Sequence, residues 1–134
     1  MDIVAFLTAR LDEREQLARH VQHAVGDQFD ALMGVLGEAH EPGWRYGIVP
    51  LYLRSHDPAR VLAEVEAVRG VIAIYSRFAA DYDRLQAAAA ADSFAVGQDQ
   101  MTIAAVRVRA LEGVLTELAA PYSAHTDYNP AWAD

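Results

Sequence analysis

The stretch Ser55-His56-Asp57-Pro58-Ala59-Arg60-Val61-Leu62-Ala63-Glu64-Val65-Glu66-Ala67 marks the start of a helix. The carboxylate of Asp57 can accept hydrogen bonds from the free N–H groups of the first turn, so this residue is a predicted N-cap. Pro58 suits the first helical position, because no backbone N–H is required there. Apolar residues then recur every three or four positions, the period of a helix that buries one face. This stripe consists of Val61, Val65, Val68, Ile72, Tyr75 and Ala79.

The helix that begins in this stretch is predicted to cover residues 57–90. Its roughly 30 residues correspond to about 45 Å at 1.5 Å per residue. A compact chain of this size has a radius of gyration of only about 14 Å. The length therefore predicts either an elongated bundle or a second subunit that covers the excess apolar surface.

The same period predicts helices over 2–37 and 98–119, and Pro121 ends the latter. Residues 40–56, between the first helix and the helix over 57–90, contain turn and proline signals, which favour an extended aromatic connector. The tail, 121–134, is rich in large aromatic rings and is expected to dock on the helices. We therefore predict a single all-α domain over 1–134, a three- to four-helix bundle with an extended aromatic connector and a docked C-terminal tail.

Composition narrows the classes of function. The 134 residues carry a formal net charge of −8, and the 11 basic residues are all arginine. An acidic protein repels phosphate backbones, which argues against nucleic-acid binding. A basic face would have to come from Arg77, Arg84, Arg107 and Arg109, and acidic residues lie among them.

Localisation and redox chemistry are constrained by what the sequence lacks. It contains no cysteine, which excludes disulfides and thiolate nucleophiles. Its first apolar run stops at Arg10, too early for a signal peptide, and no stretch approaches the ~20 apolar residues of a membrane helix. We expect a soluble, cytoplasmic protein that does not bind membranes.

Candidate ligand residues lie in the connector, at the mouth of the central helix and in the tail. Trp44 belongs either to a buried aromatic clamp or to a ligand-facing wall. His56 and Arg60 either close the helix mouth, with Arg60 reaching a carboxylate such as Asp127, or bind an anion there. The full set of candidates for a ligand or partner is Trp44, His56, Arg60, Tyr122, His125, Asp127 and Trp132.

Signals for catalysis and cofactors are weak in this sequence. His20 and His23 share a helix face, a spacing that can bind zinc, although a pair of exposed imidazoles is the simpler interpretation. Glycine-rich phosphate loops and a nucleophile elbow are missing. We therefore assign no catalytic residue, no metal and no cofactor, and favour a protein that is not an enzyme.

Two sequence blocks carry a resemblance to a known family. The first, His56–Ala67, is followed by the second, Pro121-Tyr122-Ser123-Ala124-His125-Thr126-Asp127-Tyr128 with Trp132. Together with the opening Phe6-Leu7, they resemble small actinobacterial and actinophage proteins grouped as a family of unknown function. Val68-Arg69-Gly70 stands where those proteins commonly carry a more basic stretch, so a role of such basic residues does not transfer. The resemblance implies an origin and a helical fold, and implies no activity.

Two hypotheses of function follow from the sequence. The favoured one is a noncatalytic helical interaction or regulatory module that forms a homodimer or small oligomer, or that binds another protein, because the apolar helix area exceeds what one small domain can bury. The alternative is a small-ligand-binding protein or minor enzyme, with a pocket between the connector around Trp44 and the tail around His125.

Overall fold

A computed structural model describes residues 2–25, 28, 31, 56–92 and 94–133 of the chain. Within these residues it is 84% helical, with three α-helices and no strand. The helices are α1 (Ile3–Val25), α2 (Pro58–Ala91) and α3 (Gln98–Ala119), followed by the short 3-10 turns Ala120–Tyr122 and Pro130–Trp132. The all-α class is therefore confirmed. The connector 40–56, apart from His56, and the predicted extension of the first helix to residue 37 lie largely outside the described residues.

Aspartates before α1 and α2 satisfy the first N–H groups of these helices. Asp2 Oδ1 accepts from the backbone N–H of Ala5 at 2.8 Å. Asp57 Oδ1 accepts from the N–H of Ala59 at 3.0 Å, and Pro58 is the first helical residue. A side-chain acceptor at this position replaces the missing intrahelical partner of the first turn, which explains why the helices begin where they do.

By contrast, α3 starts without a side-chain cap. Its N-cap is Gly97, whose backbone lies in the extended region, and the carbonyl of Gly97 accepts from Met101 N–H at 3.2 Å. Asp92 instead organises the preceding turn, because its Oδ1 accepts from the N–H of Phe94 at 2.9 Å. The short turn between α2 and α3 is thus held by its own hydrogen bonds.

The chain divides into two compact units. One unit combines Met1–Ala9 with Val68–Asp134, and the other is Arg10–Ala67. The core residues of the first, terminal unit are Phe6, Leu7, Ile72, Val108, Leu115 and Ala119. Those of the second, internal unit include Leu11, Ala18 and Val65. Val65 and Ile72 fall on the stripe that the sequence predicts for α2, because a three-to-four spacing places them on one side of the helix.

Among the helices of the described ranges, none is both long and apolar enough to cross a membrane.

Candidate functional site

The C-terminal tail packs its aromatic rings around Phe6, in the first turn of α1. The ring of Phe6 is fully buried. Its centroid lies 6.2 Å from that of Tyr122, 6.0 Å from His125, 5.9 Å from Tyr128 and 5.0 Å from Trp132. Edge-to-face pairs at these distances contribute about 0.5–1.5 kcal/mol each beyond the area that they bury. The predicted docking of the tail is confirmed, and three candidate residues, Tyr122, His125 and Trp132, lie in this cluster.

Within the tail, His125 and Asp127 form a local turn. The backbone N–H of Asp127 donates to His125 Nδ1 at 3.1 Å, which requires a lone pair on that nitrogen. A carboxylate oxygen of Asp127 lies 3.8 Å from the same nitrogen. Because Nδ1 already accepts from the backbone, the arrangement orients the imidazole and stabilises the turn. It does not form the donor contact from Nδ1 to a carboxylate by which an aspartate orients a catalytic histidine.

At the mouth of α2, Glu64 binds two arginines. Arg14 donates to Glu64 Oε2 at 2.7 Å, and Arg60 Nε donates to Oε1 at 3.1 Å. The hydrogen bond from Arg60 is the largest influence on the pKa of Glu64 and lowers it. Burial opposes this effect, but the hydrogen bond from Arg14 and the charges of both arginines add to it, so the pKa lies below its usual value. The candidate Arg60 is therefore held within the internal unit, and an ion pair with Asp127 stays a prediction.

Replacing Glu64 with glutamine should lower stability slightly and change its pH dependence. The ion pairs of Glu64 with Arg14 and Arg60 are partly exposed, so the expected loss of unfolding free energy near neutral pH is below about 1 kcal/mol. A lowered pKa in the folded state means that the stabilisation is present above the unfolded pKa, near 4.5, and is lost as the pH falls through the folded pKa. Urea unfolding at a series of pH values should show the two proteins converging in acid. Glu117→Gln, at an exposed position, is the control; equal behaviour of both variants would contradict the prediction.

The remaining sequence candidates do not converge on one site. His56 lies exposed in the turn before Asp57, and His20 and His23 are exposed on α1. Among the described residues, no group of three histidine, aspartate or glutamate side chains is arranged to hold a metal ion. Trp44, and with it the predicted pocket between connector and tail, lies outside the described residues.

A groove that the sequence did not identify lies in the terminal unit between α2 and α3. It has a volume of about 400 Å³. Its apolar lining consists of Phe78, Leu85, Ile103 and Ala104, and its polar lining of Asp81, Arg84, Gln100 and Arg107. The sequence signal for it was the set of arginines on these helices, considered above only as a basic face.

Arginines surround the aromatic ring of the groove. The guanidinium carbons of Arg77 and Arg107 lie 5.3 and 5.5 Å from the centroid of Phe78, within the range of cation–π attraction. Arg84 forms an ion pair with Asp81. Three residues before Phe78 on α2, the hydroxyl of Tyr75 donates to Glu112 Oε1 of α3 at 3.4 Å. Burial, followed by the charge of Glu112 and this hydrogen bond, raises the pKa of Tyr75.

Large apolar side chains are exposed beside this groove. Ile103 is 51% exposed and Val114 is 43% exposed. At about 100° per residue, Ile103, Ala110 and Val114 lie within about 40° of one another on α3. We call Ile103, Ala110 and Val114 the α3 face. Ile103 also lines the groove, so this side chain belongs to both the groove and the α3 face.

Comparison with known proteins bears on the identity of the chain. Neither the curated proteins nor the solved structures gave a match. The model of a family of unknown function matches residues 1–134, which confirms the resemblance carried by the helix mouth and the tail. The chain therefore belongs to the family of unknown function DUF6221.

Proposed function

We propose that this chain is a noncatalytic helical interaction module that self-associates as a homodimer through the apolar surface of its terminal unit. The observation that carries the proposal is the exposure of large apolar side chains on and beside α3. Monomeric proteins scatter such side chains singly, whereas contiguous apolar surface is typical of interaction sites.

The partner in this proposal is a second copy of the chain. A twofold dimer uses the same patch on both subunits, so the patch must be complementary to itself. On the α3 face, the half-exposed Ile103 and the exposed Ala110 would supply apolar contacts from both subunits of such a pair.

Light scattering on the purified chain should give the mass of a dimer at tens of micromolar, and Val114→Glu should shift it toward the monomer. A buried charge without a partner opposes association, and a tenfold weaker dimer corresponds to about 1.4 kcal/mol. Leu17→Glu is the matched control: it adds the same charge at an apolar position that is 65% exposed, but on α1 in the internal unit. We expect it to leave the mass unchanged.

A monomeric wild-type protein at these concentrations would contradict the proposal. A monomer whose melting temperature rises with small apolar anions would instead favour a small-ligand-binding protein whose site is this groove, not the predicted pocket between connector and tail. The volume of the groove falls within the range of about 300–1,000 Å³ that is typical of small-molecule sites.

A further inference from the structure

We propose that Phe94, in the turn between α2 and α3 of one copy, inserts into the groove of a second copy, and that the second copy inserts its own Phe94 in return. This inference rests on the proposed self-association and specifies how it occurs. It assigns the groove to an aromatic side chain of the same protein.

The inserted group is the most exposed large apolar side chain of the described residues. Phe94 is 95% exposed. Its backbone N–H donates to Asp92 Oδ1 at 2.9 Å, and the N–H of Ala95 donates to the carbonyl of Asp92 at 3.0 Å. The ring is therefore presented to solvent by a turn with fixed hydrogen bonds, so little backbone conformational entropy is lost when the ring binds.

The groove offers a complementary surface for a phenyl ring. Phe78 supplies an aromatic contact, and Leu85, Ile103 and Ala104 supply aliphatic ones. In offset or edge-to-face geometry, an aromatic pair contributes free energy beyond that of the apolar area it buries. Aromatic residues are also enriched among the side chains that dominate the binding energy of interfaces. Insertion of Phe94 into the groove would remove both its ring and the exposed half of Ile103 from water.

Charges flank the ring and the groove with opposite sign. Asp92 and Asp99 lie exposed on either side of Phe94, and neither forms an ion pair within the described ranges. Arg107 lines the groove and contacts the ring of Phe78. Among the described residues, no carboxylate lies within ion-pair distance of its guanidinium. Opposed charges at the rim of an interface orient the partners and fix the register. Two copies with a net charge of −8 each need such local complementarity to approach.

The exposure of Phe94 favours a partner in trans. Gln100, which lines the near end of the groove, lies only about 3 Å along α3 from Gln98, at 1.5 Å per residue. Phe94 is nevertheless 95% exposed, so its ring does not occupy the groove of its own copy. A twofold axis between ring and groove brings each Phe94 to the groove of the other copy, which gives two equal contacts per dimer.

The test uses one variant that lacks the ring and one that blocks the groove. Phe94→Ala removes the inserted side chain, and Ala104→Trp fills the groove. Each variant alone has no ring-to-groove contact, so sedimentation should show at least a roughly tenfold weaker homodimer. Mixed together, the two variants retain one contact, because the first keeps its groove and the second its ring. Native mass spectrometry of the mixture should therefore show the heterodimer in excess over both homodimers.

Each outcome decides between the inference and the proposed function. If the wild type is a dimer and Phe94→Ala dimerises equally tightly, the insertion is overturned and the proposed self-association stands. Two monomeric variants that form no heterodimer would also overturn it. A monomeric wild-type protein would overturn both. Far-UV circular dichroism at monomeric concentration controls for folding, and Leu17→Ala, which removes a 65% exposed side chain from the internal unit, should leave dimerisation unchanged.

Discussion

Replacing Phe6 with alanine is expected to lower the free energy of unfolding by roughly 3–5 kcal/mol, the usual cost of deleting a buried aromatic ring. Phe6 is 0% exposed and contacts four rings of the tail. The variant no longer buries the apolar area of the phenyl ring, and it leaves a cavity that those rings must line or fill. Domains are stable by only about 5–15 kcal/mol, so the loss is a large share of the total. Urea unfolding followed by circular dichroism measures it.

The matched control for this prediction is Phe94→Ala, at a concentration where the protein is monomeric. It removes the same side chain from a position that is 95% exposed, and surface substitutions usually change stability by no more than about 0.5 kcal/mol. Losses of equal size in the two variants would contradict the assigned burial of Phe6.

Release of the tail gives a second measurement of the same variant. The protein has two tryptophans, and a Trp44→Phe background leaves Trp132 as the fluorescent reporter. Trp132 is the ring nearest to Phe6, at 5.0 Å between centroids. We expect its emission to shift to longer wavelength in Phe6→Ala, because water reaches the indole when the tail no longer has its central contact. An unchanged spectrum would show that the tail docks without Phe6.

Replacing Leu115 with alanine is expected to cost roughly 2–5 kcal/mol. Leu115 is 0% exposed and lies near the C-terminal end of α3, within the core of the terminal unit. Alanine is the better helix former, so the loss comes from the cavity and the lost apolar contacts alone. Thermal and urea unfolding should both show the loss.

The control for Leu115 has the same chemistry at an exposed helical position. Leu17 is 65% exposed in α1, and Leu17→Ala should change the free energy of unfolding by less than about 0.5 kcal/mol. A neutral Leu115→Ala variant would contradict the packing of α3 against its unit.

Some features of this protein were predicted from local sequence alone. The residues Asp57-Pro58 predicted the start of α2, and Pro121 predicted the end of α3. These signals work because a cap or a missing N–H acts on neighbours within one turn. The apolar stripe also predicted the burial of Val65 and Ile72, since the period of a helix fixes which side chains share a face.

The contacts of the candidate sites could not be predicted in this way. The sequence named the tail residues Tyr122, His125 and Trp132 as candidates, but not the ring that gathers them. It also gave no sign that Glu64 would bind Arg14, fifty positions earlier in the chain. Residues so far apart in sequence meet only when helices pack.

The sequence by itself determined the helical class, the start of α2 and the apolar faces, because caps and periodicity depend on residues within a few positions of one another. Only the tertiary structure decided that Phe6 is enclosed by the tail, that Phe94 is left exposed and that a groove opens beside Phe78. Which side chains end up against each other, or against water, depends on how whole helices pack, and no local pattern encodes that geometry.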